Sequence, residues 1–223
     1  MSAVVLGAGL VLTACSSSPL KFGSAAIVGD QRITIATLDS EVNNLSQAVE
    51  RYKSTVQLSQ EQQTQQTLTW LVRFKVQEEL ARQAGITVSK GEAEQALASI
   101  YATAKSSAES QGIPNASLDL ILAANGIPPN LAEEVGRYQA IDDQFARQAN
   151  GGQEPTSTAA QTAVSAQLTK ARCEAAKALN IQINPQFGEL NYDQLAVVAA
   201  PGTVFRTAGP APTASPSGLT PAC

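Results

Sequence analysis

The chain has 223 residues, a formal net charge of −4 and no histidine. The charge balance offers no basic footprint for nucleic acid, and the lack of histidine excludes Ser-His-Asp sites, Cys-His sites and histidine-ligated zinc. We therefore expect no metal and no nucleic-acid partner. An enzyme would need a site that works without histidine, and we expect neither catalytic residues nor a cofactor.

The first segment of the chain is apolar and ends at a cysteine, in the run VVLGAGLVLTACSSS of residues 4–18. Its apolar or small residues at 3–12 suit the hydrophobic region of a secretory signal. They fall far short of the roughly 20 residues that a membrane-spanning helix needs. We interpret the segment as a signal and not as a permanent helix.

The sequence LTAC at residues 12–15 resembles the lipobox of bacterial lipoproteins, whose cysteine is diacylglycerylated and becomes the first mature residue. The resemblance implies a signal peptide over 1–14, a lipidated Cys15 and a tether over 15–24. It places the protein at the outer face of the cytoplasmic membrane, anchored in the bilayer, in a bacterium of Gram-positive type. An ordinary apolar cysteine in a signal cleaved elsewhere is the alternative.

A hairpin-like start is predicted next, with extended segments at 25–28 and 32–35 around a Gly29-Asp30 turn. Apolar residues then recur at alternate spacings of three and four, as on one seam of a long amphipathic helix. We interpret this seam as packing against the protein's own helices, with a docking face for a partner as the alternative. The seam residues are Ile35, Leu38, Val42, Leu45, Val49, Tyr52 and Val56.

The second predicted helix spans Gln60–Ala84 and ends at Gly85, a favourable residue after a helix C-terminus. It carries two apolar stripes on roughly opposite sides, so we expect it to lie between two layers. One stripe is Leu68, Val72, Val76 and Leu80, and the other is Trp70, Phe74 and Ala81.

Three further helices are predicted before a polar linker at 150–158. Ser89 and Glu92 form a capping box that opens the first of them, and Ser117 caps a short second one. The third helix starts at Pro128-Pro129. The apolar residues of the first are Ala93, Leu97, Ile100, Tyr101 and Ala104, and those of the third are Leu131, Val135, Tyr138, Ile141 and Phe145.

Two cysteines follow Cys15. On a helix predicted over 158–179, Cys173 falls opposite the apolar stripe, so we expect it to be exposed. An oxidising compartment favours a disulfide between Cys173 and Cys223, which would close a loop of about 50 residues worth roughly 4 kcal/mol. Two free thiols are the alternative, and no C-x-x-C spacing supports zinc.

The end of the chain changes character after one more predicted strand. Ile181 and Ile183 alternate with polar residues, as in a short strand. Residues 199–223 are rich in Ala, Pro, Thr, Ser and Gly without periodicity, which predicts a disordered tail.

Three segments carry a family resemblance through their order in the chain. They are AAIVGDQRITIATLDSEV at 25–42, ASLDLILAANGIPPNLAEEVGRYQAIDDQF at 116–145 and IQINPQFGEL at 181–190. Together they resemble the SurA/PrsA family of extracytoplasmic chaperones. The resemblance implies a mainly α fold over 25–190: a multi-helix lobe like the SurA N-terminal domain, with a small sheet formed by N-terminal and C-terminal short strands.

The resemblance also implies what the chain does. Members carry parvulin-type isomerase modules of about 90 residues, where this chain has only the linker at 150–158, and parvulin sites use histidine. We therefore expect a non-enzymatic chaperone that binds unfolded, partly folded or nascent secreted polypeptides. A structural or adaptor lipoprotein that docks one specific envelope partner is the alternative.

Two sets of side chains are candidates for a functional site, one aromatic and one acidic. Aromatic residues on helical stripes could contact a client, although such residues usually belong to a core; these are Trp70, Phe74, Tyr101, Tyr138 and Phe145. Carboxylates one or two positions apart on a helix do not face each other, so we interpret the acidic pairs as solvated surface and not as catalytic. The pairs are Asp39 with Glu41, Glu78 with Glu79, Glu133 with Glu134, and Asp142 with Asp143.

Overall fold

The structure is a computed structural model that describes residues 22–200. The predictions for the signal peptide, Cys15, Cys223 and residues 201–223 lie outside this range. The strands are β1 (Ser24–Val28), β2 (Gln31–Thr34), β3 (Gln182–Ile183), β4 (Glu189–Asn191) and β5 (Ala196–Val198). The helices are α1 (Ile35–Arg51), α2 (Gln60–Ala84), α3 (Lys90–Ser110), α4 (Leu118–Ala124), α5 (Ala132–Ala149) and α6 (Thr158–Ala178), with a 3-10 turn at Pro129–Leu131 before α5.

A small antiparallel sheet joins the start of the described chain to the segment that follows α6. Its strand order is β2-β1-β3, and Ala26 of β1 pairs with Ile183 of β3. Asn184 extends the join, since its backbone N–H donates to the Ala25 carbonyl at 2.9 Å and its side-chain amide donates to the Ser24 carbonyl at 2.9 Å. The predicted mainly α fold with a small sheet of N-terminal and C-terminal strands is confirmed.

A second sheet, which the sequence analysis did not predict, consists of the hairpin β4-β5. It docks on α2, where the Val197 N–H donates to Thr69 Oγ1 at 2.8 Å. The Arg73 guanidinium donates to the carbonyls of Leu195 at 3.0 Å and Gln194 at 2.9 Å. Regular structure therefore continues beyond residue 190, to Val198.

Helix α2 is the centre of the lobe and has the predicted bounds. A capping box of Ser59 and Gln62 opens it, and Gly85 ends it with a left-handed φ of +66°. Its Leu68, Val72, Val76 and Leu80 side chains lie in the main core, while Trp70 and Phe74 pack on the other side. The prediction of two layers is confirmed, except that Ala81 belongs to the main core.

Helix α1 is shorter than the predicted seam. It ends at Arg51, and Val56 lies beyond the helix, where its side chain is still buried. Leu38 and Leu45 are fully buried, so the seam packs against the protein's own helices as predicted. These side chains are not available as a docking face.

Helices α3 and α5 pack closely because a glycine lies between them. A Cβ atom built on Gly136 of α5 would lie 2.4 Å from the Ala93 carbonyl oxygen of α3. The side chains of Leu97 and Ile100, which are partly buried, then reach the cluster around Trp70.

Two predictions of exposure were wrong. Cys173 is only 7% exposed, because α6 packs against α2 and α5 through more of its surface than the apolar stripe covers. Cys173 is disulfide-bonded, and its pairing with Cys223 stays a prediction because Cys223 lies outside the described residues. Asp142, expected on a solvated face, is also buried, and its carboxylate pairs with Arg172.

Candidate functional site

A groove of about 430 Å³ opens where three parts of the chain meet. They are the first turns of α2, the loop between β3 and β4, and the two residues that follow β5. The lining residues are Gln60, Glu61, Thr64, Gln65, Pro185, Gln186, Phe187, Gly188, Ala199 and Ala200.

Hydrogen bonds and a close backbone approach hold the loop between β3 and β4 at this groove. Asn184 closes it as a turn, since its side-chain oxygen accepts from the Gln186 N–H at 3.2 Å and its carbonyl accepts from the Phe187 N–H at 2.9 Å. Gly188 has a φ of +128°, and a Cβ atom there would lie 2.2 Å from the Val198 carbonyl oxygen. Only glycine allows this approach, which fixes Phe187 beside the groove.

The lining combines amide, carboxylate and apolar groups. Gln60, Gln65 and Gln186 each carry an amide, which can donate to and accept from a polypeptide backbone. Pro185 and the half-buried Phe187 supply apolar contact. Extended peptides are commonly bound by this combination of backbone hydrogen bonds and apolar anchors.

Glu61 gives the groove an acidic edge. Its carboxylate accepts a hydrogen bond from the Gln65 side chain at 3.2 Å and is exposed to solvent. Within residues 22–200, no lysine or arginine forms a salt bridge with it. The position can therefore accept a basic group from a bound chain.

Most large apolar side chains of residues 22–200 are buried or partly buried. Phe22 is the exception among large hydrophobic side chains of residues 22–200, since it is fully exposed. No other large hydrophobic side chain of residues 22–200 is exposed to this degree. The groove is the better candidate for polypeptide contact.

The five aromatic residues that the sequence offered as client contacts do not line this groove. Trp70, Phe74 and Tyr138 are buried against one another, with ring centroids 5.8–6.3 Å apart. Tyr101 is half-buried and donates from its hydroxyl to the Ala116 carbonyl at 3.1 Å, and Phe145 packs against the main core. In this conformation they act as packing residues, and a client could reach the buried ones only if the helices separated.

A buried polar cluster joins α2, α5 and α6, and sequence reasoning missed it. The Arg172 guanidinium forms an ion pair with the Asp142 carboxylate and also donates to Gln77 Oε1 at 3.2 Å. The Gln77 amide donates to the other Asp142 oxygen at 2.6 Å and to the Tyr138 carbonyl at 3.3 Å. Arg172 also lies over the Tyr138 ring, 4.9 Å from its centroid.

Burial shifts the pKa of two groups in this cluster. It raises the pKa of the Tyr138 hydroxyl to about 12. It also raises the pKa of the Asp142 carboxyl, and the Arg172 guanidinium opposes that shift. Both Asp142 and Arg172 are less than 10% exposed, so the pair lies in the interior. We interpret it as a structural link between helices.

Neither metal binding nor membrane crossing has support in the described region. Residues 22–200 contain no group of three side chains of the types His, Cys, Asp and Glu that could hold a metal ion. The helices found there are too short or too polar to cross a bilayer.

A comparison with family models matches residues 2–135 to the SurA-like N-terminal domain. This range is more than half of the chain. The chain belongs to the SurA-like N-terminal domain family. The family is a chaperone-type domain, so the lobe is chaperone-like. The family match ends in the first turn of α5, so α6 and the strands that close the lobe lie beyond it. No curated protein and no solved structure matches the chain.

Proposed function

We propose that the protein is a lipid-anchored extracytoplasmic chaperone that binds unfolded or partly folded secreted polypeptides and has no isomerase activity. The observation that carries the proposal is membership of the SurA-like N-terminal domain family. The lobe passes from α5 to α6 through 150–157 alone, a stretch too short for an isomerase module. Cys15 supplies the anchor, at the outer face of the cytoplasmic membrane.

The groove beside α2 is the client site in this proposal. A client in extended form exchanges backbone hydrogen bonds with the glutamine amides and packs an apolar side chain on Phe187. Because the groove is of modest size, about 430 Å³, it holds only a short segment of the client. Binding is accordingly weak per site and tolerant of client sequence.

Client binding is tested by light scattering during refolding of several unrelated denatured proteins. We expect the chain from Ser16 onward to suppress aggregation at a few-fold molar excess. Replacing two lining amides, Gln60→Glu with Gln186→Glu, removes donors to the client backbone and should weaken suppression several-fold. Both side chains are exposed, so the fold should tolerate the change.

A matched control carries the same charge change at two positions outside the groove lining. Gln47 and Gln57 are exposed and do not line it, so Gln47→Glu with Gln57→Glu should suppress aggregation like the wild type. Unchanged scattering with every substrate would refute the chaperone proposal. Binding of a single envelope protein alone would favour the adaptor alternative. A proline-containing peptide should isomerise at its uncatalysed rate in the same solutions.

The anchor is tested by cell fractionation. A diacylglyceryl group adds two acyl chains, and at about 0.8 kcal/mol per buried methylene two chains hold a protein on a bilayer stably. We expect wild-type protein in the membrane fraction and Cys15→Ser in the soluble fraction. Cys173→Ser, which changes a different cysteine, should stay with the membrane. A Cys15→Ser protein that also stays there would show that lipidation is not the anchor.

A further inference from the structure

We propose that residues 201–206, PGTVFR, dock in the groove beside α2 and compete there with clients. The inference rests on the proposed function of that groove. The segment occupies the groove reversibly. Clients bind only to those lobes in which the segment has dissociated from the groove.

The path of the chain leads into the groove. Strand β5 ends at Val198, and the next two residues, Ala199 and Ala200, are themselves part of the lining. Six extended residues reach about 20 Å. The facing turns of α2, Gln60 to Gln65, rise only about 8 Å along the helix axis. The segment can therefore cross the whole groove without strain.

The chemistry of the segment matches the lining. Phe205 is the single aromatic residue and Arg206 the single charged residue of 201–223. The groove offers Phe187 with Pro185 as an apolar contact and the Glu61 carboxylate as a partner for a cation. The remainder of the tail, at 207–223, has neither an aromatic nor a charged side chain to compete for these positions.

Attachment makes the segment an effective competitor. A short connection gives a tethered ligand an effective concentration in the millimolar range, so a weak contact is enough for high occupancy. The apparent affinity of a client then falls in proportion to the fraction of open grooves. A segment docked nine-tenths of the time would weaken client binding about tenfold.

The inference is tested on the chain from Ser16 onward with a fluorescein-labelled peptide of the sequence APGTVFRT, residues 200–207. Fluorescence anisotropy measures its affinity. Phe205→Gln with Arg206→Gln should release the groove, so we expect that variant to bind the peptide about tenfold more tightly than the wild type. Leu219→Gln changes the tail elsewhere and should leave the affinity at the wild-type value. Equal affinity for wild type and double variant, or no binding by either, would overturn the inference.

A second experiment tests docking by charge reversal and does not use the peptide. Hydrogen exchange at 60–65 and 184–188 should accelerate in Glu61→Arg, because the docked segment is repelled. Adding Arg206→Glu to that variant should restore slow exchange. Exchange that does not respond to either substitution would contradict docking.

Failure of this inference is distinguishable from failure of the proposed function. If the wild type and the double variant at residues 205 and 206 suppress aggregation equally, the tail does not compete, and the chaperone proposal stands. If neither suppresses aggregation although the double variant binds the peptide more tightly, docking stands and the client-binding proposal fails.

Discussion

Replacing Arg172 by methionine is expected to lower the free energy of unfolding by about 3–5 kcal/mol at pH 8, because the substitution leaves the Asp142 carboxylate buried without its cation. Arg172 is 3% exposed and Asp142 is 7% exposed, so water cannot take over the lost contact. Urea unfolding followed by the fluorescence of Trp70, the single tryptophan, measures the change.

The loss of stability in Arg172→Met should depend on pH, because Asp142 is buried. Burial raises the pKa of this carboxyl, and removing Arg172 takes away the charge that opposed the shift. An aspartate in the unfolded chain has a pKa of about 3.9 and releases its proton above that pH. The native variant still binds this proton. Stability of Arg172→Met therefore falls as pH rises through the raised native pKa, and the loss at pH 5 should be smaller than at pH 8.

Two further variants separate an unpaired buried charge from lost packing. Adding Asp142→Leu to Arg172→Met removes the uncompensated carboxylate and should recover most of the stability, since apolar replacements of buried pairs are often neutral or better. Lys170→Met breaks an exposed pair with Glu174 on the same helix and should cost less than about 1 kcal/mol. A pH-independent loss in Arg172→Met, with no recovery in the double variant, would show that packing alone is at stake.

Local signals in the sequence predicted the helices well. Helix α2 could be placed to the residue because its ends are set by neighbours in the chain, namely the serine at 59 and the glycine at 85. Its two stripes predicted two layers because helical periodicity fixes direction around one axis. The family resemblance supplied what periodicity could not, namely that β1 pairs with a strand from the far end of the lobe.

Contacts between distant segments escaped prediction. Arg172 and Asp142 each look like surface residues on their own helices, and nothing local shows that these two residues, 30 positions apart, meet. The hairpin β4-β5 is too short to stand out, and it is held by the Thr69 hydroxyl and the Arg73 guanidinium of α2. The groove combines three such distant pieces, so its lining could not be predicted from any one of them.

Helices α3 and α5 pack so closely at Gly136 that a larger residue there should destabilise the protein. Alanine is a better helix former than glycine by about 0.8–1.0 kcal/mol, yet Gly136→Ala should lower the free energy of unfolding by about 1–3 kcal/mol. The new methyl group would lie 2.4 Å from the Ala93 carbonyl oxygen and 2.9 Å from the Leu97 Cβ atom. Both belong to the framework of α3, so the two helices must separate to accommodate it.

Gly91 provides the matched control on the partner helix. A Cβ atom there has no neighbour within 4 Å, so Gly91→Ala should raise stability by up to about 1 kcal/mol through propensity alone. Opposite signs for the two glycine substitutions, again measured through Trp70 in urea, would establish that α3 and α5 touch at Gly136. The same sign for both would contradict the packing. Tyr138 of α5 packs against Trp70, so separation of α3 and α5 would also loosen the aromatic cluster. The native fluorescence of Gly136→Ala should therefore shift to longer wavelength. That of Gly91→Ala should stay unchanged.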